Sequence, residues 1–260
     1  MARHGVIETR STGVHRVLAA AIVIAAVASA WSGLAPRPAA ALPVADTGVL
    51  RPVFARLLGH PSVLRIDAVP DLYRGGYARI SVYAENASVD RIRIDQTWIR
   101  LTGASLDPSK LRHGALRVLS LRGSAVYTRV SRANVEDYLD RLGLAKHIKV
   151  TGAGQSIIVQ GTVSRQGVDL PLRLQGVFAV KDTPELFFHI ERITVNSMPV
   201  PTLQIDQLER RFNPVLDFRK WPVQFPIRVF RATADGFVLS SLTDATSLCD
   251  GCGSTAPRGL

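Results

Sequence analysis

The sequence predicts an α+β fold in which two amphipathic helices pack on one side of a large antiparallel sheet. Three observations predict it. Apolar and polar residues alternate with a period of two through most of residues 63–243. Turn residues separate the alternating runs, and only two stretches change to a helical period. Strands joined by short turns, with few helices among them, build antiparallel meanders with one dry face and one wet one.

The first run, "YARISVYAE", sets Ala78, Ile80, Val82 and Ala84 against Arg79, Ser81, Tyr83 and Glu85. "NASVD" turns the chain and also fits a glycosylation sequon at Asn86. "RIRIDQTW" then places Ile92, Ile94 and Trp98 inward, and the parity slips near Trp98 because Ile99 and Leu101 follow it. Arg91, Arg93 and Arg100 should face water or anionic groups. "GASLDPSKLRHG" reads as a loop with turn chemistry at Asp107–Pro108. "ALRVLSLRGSAVYTRVS" supplies one or two strands with Val126, Thr128 and Val130 in phase. In "SRANVEDYLDRLGL", Val135, Tyr138, Leu139 and Leu142 recur at helical spacing, Ser131 or Asn134 caps the start and Gly143 stops it. Asp137 and Arg141 pair on its outer face, and Glu136 and Asp140 read as a solvated one. Two alternating runs around Arg165-Gln166-Gly167 form a hairpin, and "ELFFHIERITV" is a further strand. "TLQIDQLERRF" is the second helix, with Leu203, Gln207, Leu208 and Phe212 on one side. "FPIRVFRATADGFVLSSL" closes the chain as a hairpin about Ala-Asp-Gly. No repeat or low-complexity linker interrupts residues 48–243, which read as one domain.

The ends read differently. Residues 1–16 are polar and basic, Val17–Ala30 is small and apolar, and Ala39 and Ala41 give the small-x-small pattern of a signal-peptidase site. Residues 1–41 are therefore expected to be an export signal. The alternative is an uncleaved inner-membrane anchor, since residues 17–35 are just long enough to span. Either way the body is expected outside the cytoplasmic membrane, in the periplasm or envelope. The whole chain carries 32 basic and 21 acidic residues, and 28 against 20 remain after residue 41, a net of +8. That excess favours phospholipid headgroups or acidic glycans, and export argues against nucleic acid. Residues 244–260 read as a flexible tail holding the only cysteines, Cys249 and Cys252. In an exported protein they are candidates for a small local disulfide. A redox CxxC would sit at a helix start, and zinc would need two more ligands.

Reactive chemistry is sparse. None of the six histidines (His4, His15, His60, His113, His147, His189) pairs with another at metal spacing, and no nucleophile elbow, zincin motif or P-loop is present. "GAGQS" at 152–156 precedes a strand rather than a helix, so it lacks the helix N-terminus that binds phosphate. No catalytic residue, cofactor or metal is expected. The remaining enzymatic reading would need folding to join groups such as Asp95, His189 and Glu191. Arg210, Arg211, Arg219 and Lys220, interleaved with Phe212, Phe218 and Trp221, are candidates for a headgroup or membrane-surface contact.

The stretch "ARISVYAENASVDRIRIDQTWIRLTGASLDPSKLRHGALRVLSLRGSAVYTRVSRANVEDYL" resembles the LmeA-like family of phospholipid-binding envelope proteins. The matching spacings are Val89 to Ile94, Leu106 to Pro108, Leu111 to Arg117 and Val130 to Leu139, with "FPIRVFRATADGFVLSSL" resembling the family's closing hairpin. The likeness spans roughly residues 63–242 and consists of apolar spacings rather than reactive side chains. It implies a curved sheet wrapped around helices, similar to tubular lipid-binding domains. It also implies an anionic phospholipid as ligand and a part in maintaining lipomannan-type lipoglycans of actinobacteria. The basic front end and the CDGC tail have no counterpart in the family pattern. Ile80, Val82, Ile92, Ile94, Trp98, Val135, Leu139, Leu142, Phe178, Phe188 and Ile190 are then expected to line a lipid pocket. The rival expectation is an envelope assembly factor that binds a protein or glycan through a packed, ligand-free body.

Overall fold

The computed structural model describes residues 47–249 apart from 90, 144 and 166. The expected signal and Cys252 lie outside the described residues. In chain order the elements are α1 (Thr47–Leu57), β1 (Val63–Pro70), β2 (Tyr77–Val89), β3 (Ile92–Leu106), α2 (Pro108–Arg112), β4 (Val118–Ser120) and β5 (Gly123–Ser131). There follow α3 (Arg132–Arg141), β6 (Lys146–Ala153), β7 (Ser156–Arg165), β8 (Val168–Ala179), β9 (Glu185–Val195), β10 (Met198–Pro199) and α4 (Thr202–Phe212). The chain ends with β11 (Leu216–Asp217), a 3-10 turn, β12 (Val229–Ala232) and β13 (Gly236–Ser240).

The α+β expectation is correct, with one difference of architecture. The strands divide into two antiparallel sheets, β1-β2-β3-β5-β13-β12 with β4 on β3, and β10-β9-β8-β7-β6 with β11 on β9. Isolated bridges Gly154–Ala232 and Thr183–Ile227 stitch them together. One apolar cluster runs through both, from Leu50 and Phe54 of α1, past Ile80 and Leu101, to Ile190 and Ile193 of β9.

Both expected helices form. Ser131 caps α3 by accepting from the Asn134 N–H, and Arg141 pairs with Asp137 at 3.3 Å. On α4 the inward side is Ile205, Leu208, Glu209 and Phe212 rather than the expected Leu203 and Gln207, and Leu203 is 66% exposed. Two further helices lay outside the sequence expectation. α1 buries Leu50, Val53 and Phe54, and α2 forms where a loop was expected because Asp107 accepts the Ser109 and Lys110 N–H groups as its N-cap.

The acidic residues of the helices close the open edges of the second sheet. Glu136, expected in solvent, accepts the Val150 N–H at 2.8 Å, and Asp140 accepts that of Ile148 at 3.3 Å, both on edge strand β6. At the opposite side Glu209 accepts the Ile190 N–H. Asn213 there imitates a strand, accepting from Phe188 N–H at 2.9 Å and donating to its carbonyl at 2.8 Å. An edge strand leaves half its backbone groups unpaired, and these side chains satisfy them without extending the sheet.

The parity slip lies earlier than expected. Asn86 adopts φ +52°, a left-handed conformation that asparagine tolerates. It falls between the pairs Glu85–Gln96 and Ala87–Ile94, so β2 and β3 change face together. Ile94 is buried on one side of the slip, and Thr97, Ile99 and Leu101 on the other. Trp98 is consequently turned to the outer face.

Candidate functional site

The outer face of the first sheet carries an aromatic ladder, because Tyr83, Trp98 and Tyr127 are directly opposite one another on β2, β3 and β5. The ring centroids are 5.0 Å apart for Tyr83–Trp98 and 5.6 Å for Trp98–Tyr127. The Arg129 guanidinium lies 5.9 Å from the Trp98 centroid and 5.6 Å from that of Tyr127. Ala245 and Leu248 are buried against this ladder, so the first residues of the expected flexible tail are packed. Arg100, expected to meet water or headgroups, instead donates to the carbonyls of Ser247 at 2.6 Å and Leu248 at 3.2 Å. Beside this strap a groove of about 210 Å³ runs past Arg65, Tyr83, Trp98 and Arg100. Cys249 is disulfide-bonded, and the chain holds one other cysteine, Cys252.

Tyr83 donates to the Glu85 carboxylate, and burial together with that neighbouring charge pushes its phenol up to about 12. A phenol held protonated beyond its unfolded value of about 10 stabilises the fold below that pH. The contribution is lost as pH rises through the folded value. Stability should therefore decline between pH 10 and about 12, and Tyr83→Phe should flatten that decline in denaturant titrations.

The inner face of the second sheet differs in character. Register places Val159 opposite Leu174, Gly161 opposite Leu172 and Val163 opposite Leu170, with Ile193 and Val195 next to Leu174 and Leu172. These residues share one face. Ile193 is buried, whereas Val159, Val163, Leu172 and Leu174 pack against the core yet stay partly exposed, as do Leu170 and Val195. The result is an aliphatic strip that passes from the core to the rim, flanked by α4 on β9. The alternation of "IIVQGTVS" and "LPLRLQG" carried this signal, but sequence alone did not distinguish a half-covered face from a filled one.

The expected pocket residues divide into three groups. Ile80, Val82, Ile94, Phe188 and Ile190 are buried in the protein core, with Ile80 at 0% and Val82 at 2% exposure, and they are enclosed by protein side chains. Ile92, Val135, Leu139 and Phe178 are half-buried. Trp98 belongs to the outer ladder, and Leu142, the C-cap beyond the last turn of α3, is 44% exposed, so neither faces the interior.

Of the expected headgroup cations, Arg210, Arg211 and Lys220 are exposed. Arg219 is engaged by carboxylates, with both Asp217 oxygens at 2.9 and 3.0 Å and Glu185 at 2.9 Å. Its hydrogen bonds hold the Asp217 carboxyl below the usual carboxylate range. Lys220 lies 4.0 Å from the same carboxylate. Trp221 packs edge-on against Phe218 at 5.2 Å, which makes it a wall of the core rather than a free membrane anchor.

Asp95, His189 and Glu191 are not brought together. Asp95 accepts from the Ser131 N–H and from Asn134, His189 lies 3.0 Å from Glu209, and Glu191 accepts from Gln175. Among the described residues no cluster of three acidic, histidine or cysteine side chains is placed to hold a metal ion. None of the described helices is long and apolar enough to cross a membrane. Comparison with family models, curated proteins and solved structures finds no match for this chain.

Proposed function

We propose that this chain is an exported, non-catalytic phospholipid-binding protein of the cell envelope, which holds or shuttles an anionic phospholipid in support of lipoglycan maintenance. The observation that carries the reading is the half-covered aliphatic strip of β7, β8 and β9. An acyl chain laid along Val163, Leu172 and Leu174 gains about 0.8 kcal/mol for each CH2 it buries, so a partly enclosed tail suffices without a special residue. α4, which flanks the strip, carries Arg210 and Arg211 in solvent, where a phosphate can be met. The resemblance of the apolar spacings to the LmeA-like phospholipid-binding family favours the same reading.

A second reading rests on a different observation. Ile80, Val82 and Ile190 are closed off by protein, as in an assembly factor that presents only its surface to a protein or glycan partner. Native mass spectrometry with lipid extraction, on the chain as its own host matures it, separates the two. Stoichiometric phospholipid is the expected result. An apo mass with no thermal shift on adding anionic vesicles would sink the lipid reading and leave the partner-binding one.

A further inference from the structure

One end of the first sheet carries an apolar tip, and the chain segments that meet there are rich in basic residues. Among the described residues eight large apolar side chains are exposed, and Val69, Leu72, Tyr73 and Leu119 gather at this end, with Leu72 74%, Tyr73 99% and Leu119 58% exposed. Two segments that are distant in sequence meet there. In the β1–β2 turn the Asp71 carboxylate accepts the Tyr73 and Arg74 N–H groups, and Gly75 N–H donates to the Asp71 carbonyl, so Leu72 and Tyr73 are held on a defined turn. Gly76 approaches the Ala104 carbonyl so closely that a Cβ there would lie 2.6 Å from it. The next residue, Ser105, pairs with Ser120 of β4, which brings Leu119 to the same end. Arg122 reaches back to Asp71 at 4.0 Å and ties the two segments.

The charge around this tip is one-sided. The segments 71–76 and 107–122 carry Arg74, Lys110, Arg112, Arg117 and Arg122 against Asp71 and Asp107. Both carboxylates are occupied, Asp71 by its turn and Arg122, and Asp107 by capping α2 and by Arg117 at 3.8 Å. Arg74, Lys110 and Arg112 are exposed cations for which the nearby sequence offers no spare acidic residue.

We propose that this end is the docking surface for an anionic lipid bilayer, with Leu72, Tyr73 and Leu119 inserted at the headgroup–acyl boundary and the cations lying on the headgroup phosphates. A tyrosine and two leucines at a tip match what an interface takes up, since an aromatic ring with a polar end rests at headgroup depth and leucine enters the hydrocarbon. The basic residues of these segments supply complementarity to a negative leaflet, and their effect is screened by salt. An acidic protein surface would match the charges equally, but it would leave a fully exposed Tyr73 and Leu72 without an apolar phase. The inference rests on the phospholipid reading only in that the lipid held by the protein is drawn from such a membrane.

The test compares the chain as its host matures it with the triple variant Leu72→Ser, Tyr73→Ser, Leu119→Ser, using vesicles of phosphatidylcholine with and without phosphatidylglycerol. All three side chains are exposed, so an unchanged melting curve is expected and certifies the fold. Partition onto phosphatidylglycerol vesicles should fall at least tenfold in the variant, and wild-type binding should weaken with salt and on neutral vesicles. Equal partition of the two proteins, or no partition of the wild type, overturns the docking surface. Lipid co-purified with each protein is read in parallel by native mass spectrometry. A wild type that docks through the tip but carries no lipid defeats the phospholipid-carrier reading while leaving the docking surface standing.

Discussion

Phe54→Ala should destabilise the protein by about 4 kcal/mol, among the largest losses available to a single truncation. Phe54 is 1% exposed and lies on α1 with Leu50 at 0% and Val53 at 2%, so three apolar side chains of one short helix are sunk into the shared core. The helix has no acidic residue in its first turn and contains Pro52, so its local preference for helix is weak and packing must hold it. Removing the ring forfeits transfer free energy and leaves a cavity that β1 and the inner face of β2 close only in part. For a domain of this size each kcal/mol moves Tm by about 2–4 °C, so a fall of roughly 10 °C is expected in a thermal scan. Loss of α1 from the core would also show as faster amide exchange at Ser88, whose N–H donates to the Leu58 carbonyl at 2.9 Å. A melting point within two or three degrees of wild type would show that α1 does not dock as described.

Gly176→Val should be comparably damaging, for the opposite reason. A Cβ at Gly176 would lie 2.3 Å from the His189 carbonyl oxygen and 2.6 Å from the Phe188 ring. The pairing of β8 with β9 shifts register between Gln175 and Gly176, so the neighbouring strand already crosses close to this position. A ring can swing aside, but a carbonyl in the ladder moves only with its strand. That strand is pinned by Asn213 and Glu209 on its other side. Overpacking of this kind costs about 3 kcal/mol or more where backbone must yield. The prediction is a lowered urea midpoint with little soluble expression at 37 °C. In a Phe188→Ala background, which removes the ring clash but not the carbonyl one, Gly176→Val should still cost more than half of what it costs in the wild type. A negligible cost in that background would show that the carbonyl contact is unimportant.

Phe54 and Gly176 also mark how far the sequence could be read. α3 and α4 were legible to within a few residues because a helical period is a local signal, reinforced at α3 by its serine cap and the glycine that follows it. The hairpins at residues 165–167 and 233–236 were legible for the same reason, as was α+β itself. α1 was not, since its only strong argument is the core that it fills. The face of Trp98 is not legible in β3 alone, because its parity depends on a left-handed Asn86 across the ladder on β2. Which apolar residues are sealed was not legible: alternation marks a dry face, yet only packing shows that Ile80 is fully buried while Leu172 and Leu174 stay partly exposed.

By itself the sequence determined the strands, the two regular helices, the basic surplus and the scarcity of reactive motifs, since each follows from composition or from spacing along a single element. Tertiary structure alone decided which charges are spent and which are free. Arg100 holds the carbonyls of the C-terminal strap, Arg219 is held between Asp217 and Glu185, and Glu136, Asp140 and Glu209 close strand edges. A side chain's charge is written in the sequence, but its partner is fixed by which strands end up at an edge and which segments meet across the sheet. For the same reason Leu72, Tyr73 and Leu119 become one exposed tip only when residues nearly fifty apart are joined by the pairing of β3 with β2 and β4.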